Sequence, residues 1–161
     1  MTHEPTHSEW QLTSRTPTRD RLHIFTTNYD RVLEDACDRA GLRVLDRFVG
    51  TVRPRFRSSR LDIDVHYNPP GMRGEPRFLK DVGRITKLHG SIDWQTVGSE
   101  VVRRRLDFGD EGAASGVADS SMLIYPQSAK DIETVFYPYA DLFRSFSAAL
   151  CRPNSVLVTY G

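Results

Sequence analysis

The sequence predicts an α/β fold with a mainly parallel sheet and flanking helices. Three observations support this class. A short apolar, β-branched run at residues 22–26 leads into a helical pattern, a long amphipathic pattern covers residues 132–150, and a second apolar run follows at residues 155–161. Apolar runs that alternate with helical patterns are typical of units in which consecutive strands are parallel.

Composition sets the outer limits of the class of protein. The chain has 161 residues, 22 basic and 21 acidic, with 39% hydrophobic residues, which excludes a disordered polyelectrolyte. No apolar run approaches the roughly 18 residues that span a bilayer. Two cysteines are too few for a disulfide framework. We therefore expect a cytoplasmic protein with a polar flexible arm at residues 1–20 and a single domain at residues 21–161.

The first predicted unit is strand, tight turn and helix. Residues 22–26 (LHIFT) form the strand, and residues 31–41 (RVLEDACDRAG) place apolar side chains at helical spacing. Gly41 stands where a glycine commonly ends a helix. The turn TTNYD lies between them, and a helix-capping interpretation assigns Thr27 or Asn28 as the N-cap residue, with Asp30 in the first turn.

The middle of the chain is less regular. Residues 44–50, 61–67, 101–108 and 121–126 are candidate strands. Residues 84–94 (RITKLHGSIDW) alternate in polarity up to a Gly-Ser break, and we expect Trp94 to lie in or beside the core.

The longest predicted helix covers residues 132–150. Its apolar stripe recurs at steps of four, three, four and three residues, and Pro138 falls near its N-terminal end, where proline is tolerated. The stripe consists of Val135, Tyr139, Leu142, Phe146 and Ala149. Residues 155–161 (SVLVTYG) then predict a final buried strand.

Two short motifs carry the chemistry. TTNYD (Thr26–Asp30) follows the first strand, and ligands of parallel sheets bind outside the carboxyl ends of strands. The Asn28 amide can donate and accept hydrogen bonds, so it suits a ribose hydroxyl or a water as well as a cap. KLHGS (Lys87–Ser91) also follows a strand, and a histidine at a turn suits acid–base work near neutral pH. The alternative for His89 is a half-buried side chain that donates to a backbone carbonyl.

Taken in order, TTNYD, then KLHGS, then a closing LVTYG run resemble the silent information regulator 2 (SIR2-like, sirtuin-like) family, in particular bacterial NAD hydrolases and defence proteins. The resemblance covers about residues 22–161. It implies a Rossmann-like fold with NAD as substrate or ligand and catalytic roles for Asn28 and His89. It also implies that Asp30 lines the nicotinamide-ribose pocket. The other cofactor-binding candidates are Thr26, Thr27, Gly90, Ser91 and Gly161.

The sequence departs from the family pattern in three places. Family members open with a Gly-rich loop whose backbone amides hold the pyrophosphate, whereas no glycine precedes Gly41 here. The chain ends at Gly161, where the family's Gly-Tyr-Ser turn begins. We therefore expect a domain that is incomplete relative to the family, truncated at both ends, and weakly active or inactive in isolation. The two Cys-x-x-Cys pairs of zinc-binding deacetylases are also missing, so we expect no zinc and favour NAD hydrolysis over deacetylation.

Two other classes of function stay open. One is a non-catalytic nucleotide-sensing or protein-interaction module, with a protein partner or a larger polypeptide around it. The other is nucleic-acid binding through the Arg39–Arg60 segment, which holds seven arginines against one acid, Asp46. Because arginine outnumbers lysine 19 to 3 in the whole chain, we favour a solvated loop for this segment. No membrane partner is expected.

Overall fold

The computed structural model describes residues 21–71, 77–106, 121–123 and 137–159. It confirms the α/β class: a parallel sheet, antiparallel sheets and two helices are present in these residues. The helices are α1 (Val32–Arg39) and α2 (Tyr139–Leu150), and a 3-10 helix covers Ser58–Asp62. The strands are β1 (His23–Thr26), β2 (Arg43–Leu45), β3 (Phe48–Val49), β4 (Arg55–Phe56), β5 (His66–Tyr67), β6 (Arg77–Phe78), β7 (Val82–Lys87), β8 (Gly90–Val97), β9 (Glu100–Arg103) and β10 (Ser121–Leu123).

The parallel sheet has the order β1-β7-β2. Its register pairs His23 with Arg84 at one end of β1 and Thr26 with Lys87 at the other. The central strand β7 is buried on both faces, since Ile85, Thr86 and Lys87 are all inaccessible. This pattern is typical of a parallel strand covered from both sides, and burial along β7 therefore does not follow the alternation in polarity that its sequence shows.

The antiparallel sheet adds a layer that the sequence did not predict. Its order is β10-β8-β9-β4-β3, and β8 and β9 form a hairpin. Phe56 is fully buried there, with its ring 5.7 Å from the Phe48 ring and 5.8 Å from the Trp94 ring. The expected core position of Trp94 is therefore confirmed.

Helix α1 ends as predicted. Gly41 has a φ of +70°, its amide donates to the Asp38 carbonyl at 3.1 Å, and the Leu42 amide donates to the Cys37 carbonyl at 2.9 Å. This pair of bonds is the Schellman motif, for which glycine is the preferred residue. Cys37 packs with Leu42 and Ile85 in a buried apolar cluster.

Helix α2 begins later than the sequence predicts. It starts at Tyr139, after a turn at Tyr137–Pro138, and residues 132–136 lie outside the described part. A proline in the helix interior would lack the amide that the helix needs, so Pro138 precedes the helix. The stripe does face the core: Tyr139 and Leu142 are buried, and the Phe146 ring lies 5.0 Å from the Phe25 ring of β1.

The final strand predicted at residues 155–161 is wrong as far as the structure describes it. Residues 155–159 carry no strand and are exposed, with Val156 88% accessible. Ser155 instead donates to the Arg152 carbonyl at 2.8 Å, at the end of α2. A segment rich in β-branched residues forms a strand only when another strand pairs with it. Among the described residues, no strand of any sheet pairs with residues 155–159.

Three shorter predictions also need correction. The candidate strand 44–50 is interrupted where the Asp46 carboxylate accepts from the Phe48 amide at 2.8 Å. The candidate strand 61–67 begins within the 3-10 helix and contributes two strand residues, and the candidate strand 101–108 ends at Arg103. The proposed arm at residues 1–20 and residues 124–126 lie outside the described part. Within the described ranges, the helices are too short and too polar to cross a bilayer.

Candidate functional site

The two motifs leave neighbouring parallel strands at the same edge of the sheet. Thr26 ends β1, Lys87 ends β7, and these residues pair with each other. The pairing continues beyond β7, because the Leu88 amide donates to the Thr26 carbonyl at 2.8 Å. TTNYD and KLHGS therefore start from one point at the carboxyl ends of the strands, which is where ligands of such sheets bind.

Further hydrogen bonds join the motifs beyond the strand ends. The Tyr29 carbonyl accepts from the Ile92 amide at 3.0 Å and from the Ser91 hydroxyl at 3.2 Å. The Lys87 ammonium donates to the Asp30 carbonyl. The backbone of one motif is thus held by residues of the other.

Lys87 is the most unusual residue of this region. Its side chain is only 4% exposed, although lysine is almost never buried without a partner. Its Nζ lies 3.0 Å from Glu34 Oε1 of α1 and 3.2 Å from the Ser91 hydroxyl. Sequence patterns did not point to Lys87 or Glu34. The available signal was a lysine at the end of a predicted strand, in a chain with few lysines.

The turn before α1 uses its polar side chains differently from the capping prediction. The Thr26 hydroxyl accepts a hydrogen bond from the backbone amide of Asn28 at 3.1 Å, and the Asp30 carboxylate accepts one from the backbone amide of Val32 at 3.0 Å. Arg31 occupies the N-cap position, so neither Thr27 nor Asn28 is the cap. Asp30 takes the structural role because its carboxylate reaches the first helical amide.

The exposed groups at this edge include Asn28, whose side-chain amide we expect to hold a ribose hydroxyl or a water. Thr27, Asn28 and Tyr29 are exposed, which leaves the Asn28 amide available to a ligand. His89 lies in the turn between β7 and β8 and is half-buried, with its ring 6.3 Å from the Phe143 ring of α2. That Asn28 and His89 face one cleft stays a prediction.

The remaining predicted site residues are Gly90, Ser91 and Gly161. Gly90 and Ser91 do not form a break: they begin strand β8, and the turn falls one step earlier, at Leu88–His89. Ser91 is fully buried, so its hydroxyl serves the Tyr29 carbonyl. Gly161 lies outside the described residues.

A separate cleft lies beside α1 in the described residues. It has a volume of about 450 Å³ and separates α1 and β2 from the β8–β9 hairpin. Neither Asn28 nor His89 lines it. Its charged lining consists of Arg31, Glu34, Asp38, Arg43, Asp46, Asp93 and Arg103. Several of these charges neutralise one another, since Arg103 pairs with Asp46 at 2.8 Å and with Asp93 at 3.3 Å.

The arginine-rich segment 39–60 is only partly the solvated loop that we expected. Arg47 is 4% exposed and donates to the Ser58 carbonyl at 3.2 Å. Arg55 and Arg57 pair with Glu100 of β9 at 3.0 and 3.2 Å. Arg47 is thus part of the packed interior, whereas the Arg55 and Arg57 side chains are 49% exposed and pair with Glu100 at the surface, as expected of a solvated loop. Among the described residues, no group of three or more metal-ligating side chains could hold a metal ion.

The fold and the position of the motifs define the class of protein: a Rossmann-like α/β domain with its candidate site at the carboxyl ends of parallel strands. The chain matches the family of SIR2-like domains over residues 22–159. It therefore belongs to the SIR2-like family, whose function is related to NAD. No curated protein matches the chain.

Proposed function

We propose that this domain binds NAD at the edge where β1 and β7 end and hydrolyses it to ADP-ribose and nicotinamide. The observation that supports the proposal best is the contact between the motifs. TTNYD and KLHGS lie side by side and are hydrogen-bonded through Thr26, Tyr29 and Asp30. Residues far apart in sequence thus share one edge of the sheet, in a family related to NAD.

The reaction needs few groups. A water attacks C1′ of the nicotinamide ribose, the N-glycosidic bond breaks, and its electron pair goes to the ring nitrogen, so that nicotinamide leaves as a neutral molecule. The attacking water loses a proton, which His89 accepts as general base. Asn28 holds the water or a ribose hydroxyl, since its amide both donates and accepts. Thr26, Thr27, Asp30 and Gly90 would lie nearest the substrate.

The exposure of the turn fits these roles. Asn28 and Thr27 are accessible to a ligand, while the groups that fix the turn, Lys87 and Ser91, are buried beneath it. A site with fixed support and exposed functional groups can bind a substrate without first rearranging. Such preorganisation can supply several kcal/mol of the activation barrier.

The test is release of nicotinamide from NAD by the purified chain, followed chromatographically over hours. We expect slow release that is lost in His89→Ala and retained in His66→Ala, which removes an exposed histidine of β5. Equal release by the wild type and by His89→Ala would contradict the assignment of the base.

We extend the proposal to a role in prokaryotic defence by depletion of NAD, which the sequence resemblance suggests. The corresponding test is expression in a bacterial host that is then infected with phage. Cellular NAD should fall after infection in cells with the wild type but not in cells with His89→Ala. If the cellular NAD concentration stays constant in both strains, the proposed role in defence is wrong, and the proposal is limited to NAD hydrolysis.

A second candidate is NAD binding without turnover. The observation that favours it is the exposure of Thr27, Asn28 and Tyr29, because an active site normally excludes bulk water. Calorimetry separates the two candidates. Binding of NAD with no release of nicotinamide over the same hours would favour the sensor.

A further inference from the structure

Lys87 contacts residues of both motifs, although the sequence analysis assigns it no catalytic or binding role. Its ammonium has three N–H donors, and the structure provides three acceptors: the Asp30 carbonyl, the Ser91 hydroxyl and the Glu34 carboxylate. Two of these acceptors lie in the segments 26–30 and 87–91. The third lies on α1, directly after the turn.

We propose that Lys87, with Glu34 as its counter-ion, is the positioning residue that fixes the Asn28 turn against the strand end that carries His89. This inference rests on the proposed function, and it assigns a role to a residue that the reaction itself does not need. Lys87 acts through the backbone of the turn and does not touch the substrate.

Burial argues that this pair is more than a source of stability. Moving the Lys87 ammonium out of water costs several kcal/mol, and the Glu34 carboxylate, 21% exposed, is itself partly desolvated. Apolar residues of similar volume often replace such a pair without loss. An apolar side chain at position 87 could fill the same space. It could not donate to the Asp30 carbonyl, however, and the orientation of that peptide depends on such a donor.

The connection to Asn28 is short. Thr26 is fixed by the Leu88 amide, and Tyr29 and Asp30 are fixed through their carbonyls by Ser91, Ile92 and Lys87. Asn28 lies between these fixed points. Loss of the bond at Asp30 frees one end of the turn, and a displacement of about 1 Å at a reacting group can lower the rate about 100-fold.

The experiment separates positioning from stability with four variants of the full chain. Lys87→Met leaves the half-buried Glu34 carboxylate, 21% exposed, without its partner and should be destabilised. Lys87→Met/Glu34→Leu removes both charges and should recover much of that loss, while the donor to Asp30 stays absent. Lys80→Met removes an exposed lysine and is the matched control. Asp64→Asn disturbs a different buried network, with Arg21 and Arg84.

The first measurement is amide hydrogen exchange without NAD, so it does not depend on the proposed reaction. The reporters are the Ile92 amide, which donates to the Tyr29 carbonyl, and the Val32 amide, which donates to Asp30. We expect at least about tenfold faster exchange at both positions in the single and the double Lys87 variants. The Arg103 amide, which donates to Pro54, should exchange as in the wild type. Unchanged exchange at Ile92 and Val32 in the double variant would overturn the proposal.

The second measurement is the kinetics of nicotinamide release. In the double variant we expect kcat to fall about 100-fold with KM changed by less than about threefold, although its melting temperature recovers. Asp64→Asn should lose stability and keep its kcat at a temperature where it is folded. Recovery of kcat together with stability in the double variant would assign Lys87 a purely structural role. If the wild type releases no nicotinamide, the proposed hydrolysis by this chain fails and NAD binding without turnover remains, and the exchange data still decide the positioning of the turn.

Discussion

The Ser91 hydroxyl donates to the Tyr29 carbonyl at 3.2 Å, across 62 positions of sequence. The same carbonyl accepts the Ile92 amide at 3.0 Å, so both of its lone pairs are used. Ser91 is fully buried and also accepts from the Lys87 ammonium. A residue of the second motif thereby fixes the orientation of a peptide in the first.

Ser91→Ala should lower the free energy of unfolding by about 1–3 kcal/mol, because the Lys87 ammonium loses an acceptor and the Tyr29 carbonyl a donor in a buried place. Chemical denaturation measures the change. Ser99→Ala, at an exposed serine of the β8–β9 turn, should change stability by less than about 0.5 kcal/mol. Equal effects of the two variants would mean that the Ser91 hydroxyl does not hold the turn.

Asn28→Ala should remove NAD hydrolysis while leaving the melting temperature nearly unchanged. The side chain is exposed, and exposed substitutions usually change stability by less than about 0.5 kcal/mol. Nicotinamide release and thermal unfolding of the same preparation provide the two measurements. Turnover by Asn28→Ala at the wild-type rate would remove Asn28 from the mechanism.

His23 should make the protein less stable in mild acid. Its pKa falls from 6.5 to about 4, first because burial disfavours the charged ring and then because Arg84, Arg47 and Arg152 repel it. The unfolded chain therefore binds a proton at His23 more tightly than the folded protein does. Above pH 6.5 the ring is neutral in both states, and the free energy of unfolding has its full value. That free energy decreases as the pH falls from 6.5 to 4.

The comparison for His23 is His23→Gln, which does not titrate and retains a polar group for the Thr86 hydroxyl, 2.8 Å from the histidine ring. Unfolding free energies at several pH values should show the wild type losing on the order of 2 kcal/mol more than the variant between pH 7 and pH 4. Asp64 does not titrate in the folded protein between pH 7 and pH 4. Burial alone would raise its pKa, but the hydrogen bonds from Arg21 and Arg84 hold that pKa below 3.8. Parallel curves for both proteins would contradict the low pKa of His23.

Gly41→Ala should cost about 1 kcal/mol of stability. Nothing lies within 4 Å of a Cβ at this position, so the cost comes from the φ of +70° alone. Gly41→Asn should lose less, because asparagine tolerates the left-handed region better than alanine. Thermal unfolding of both variants checks the order, and a larger loss for asparagine would point to crowding at the end of α1.

The sequence predicted the elements with strong local patterns. The β1–α1 unit and its terminating Gly41 were correct because strand, turn and glycine chemistry all act within about 20 residues. Trp94 and the core-facing stripe of α2 followed from hydrophobicity and helical period. The edge where the two motifs meet followed from the rule for carboxyl ends of parallel strands.

What the sequence did not predict depends on contacts between distant segments. The β8–β9 hairpin of the antiparallel sheet and the exposed course of residues 155–159 are decided by which strands find partners. The burial of Lys87 and Arg47 was also missed, because a charged residue in sequence gives no indication of a counter-ion or a carbonyl that lies far along the chain.

The separation between Asp30 and Lys87, 57 positions, has a consequence for biosynthesis. A nascent chain that has exposed only β1 and α1 carries TTNYD without the strand that holds it, and closing so long a loop is slow compared with local folding. The ribosome must release β7 and the start of β8 before the edge can assemble. If the domain consumes NAD, the cell is therefore not exposed to that activity by translation products that end before Ser91.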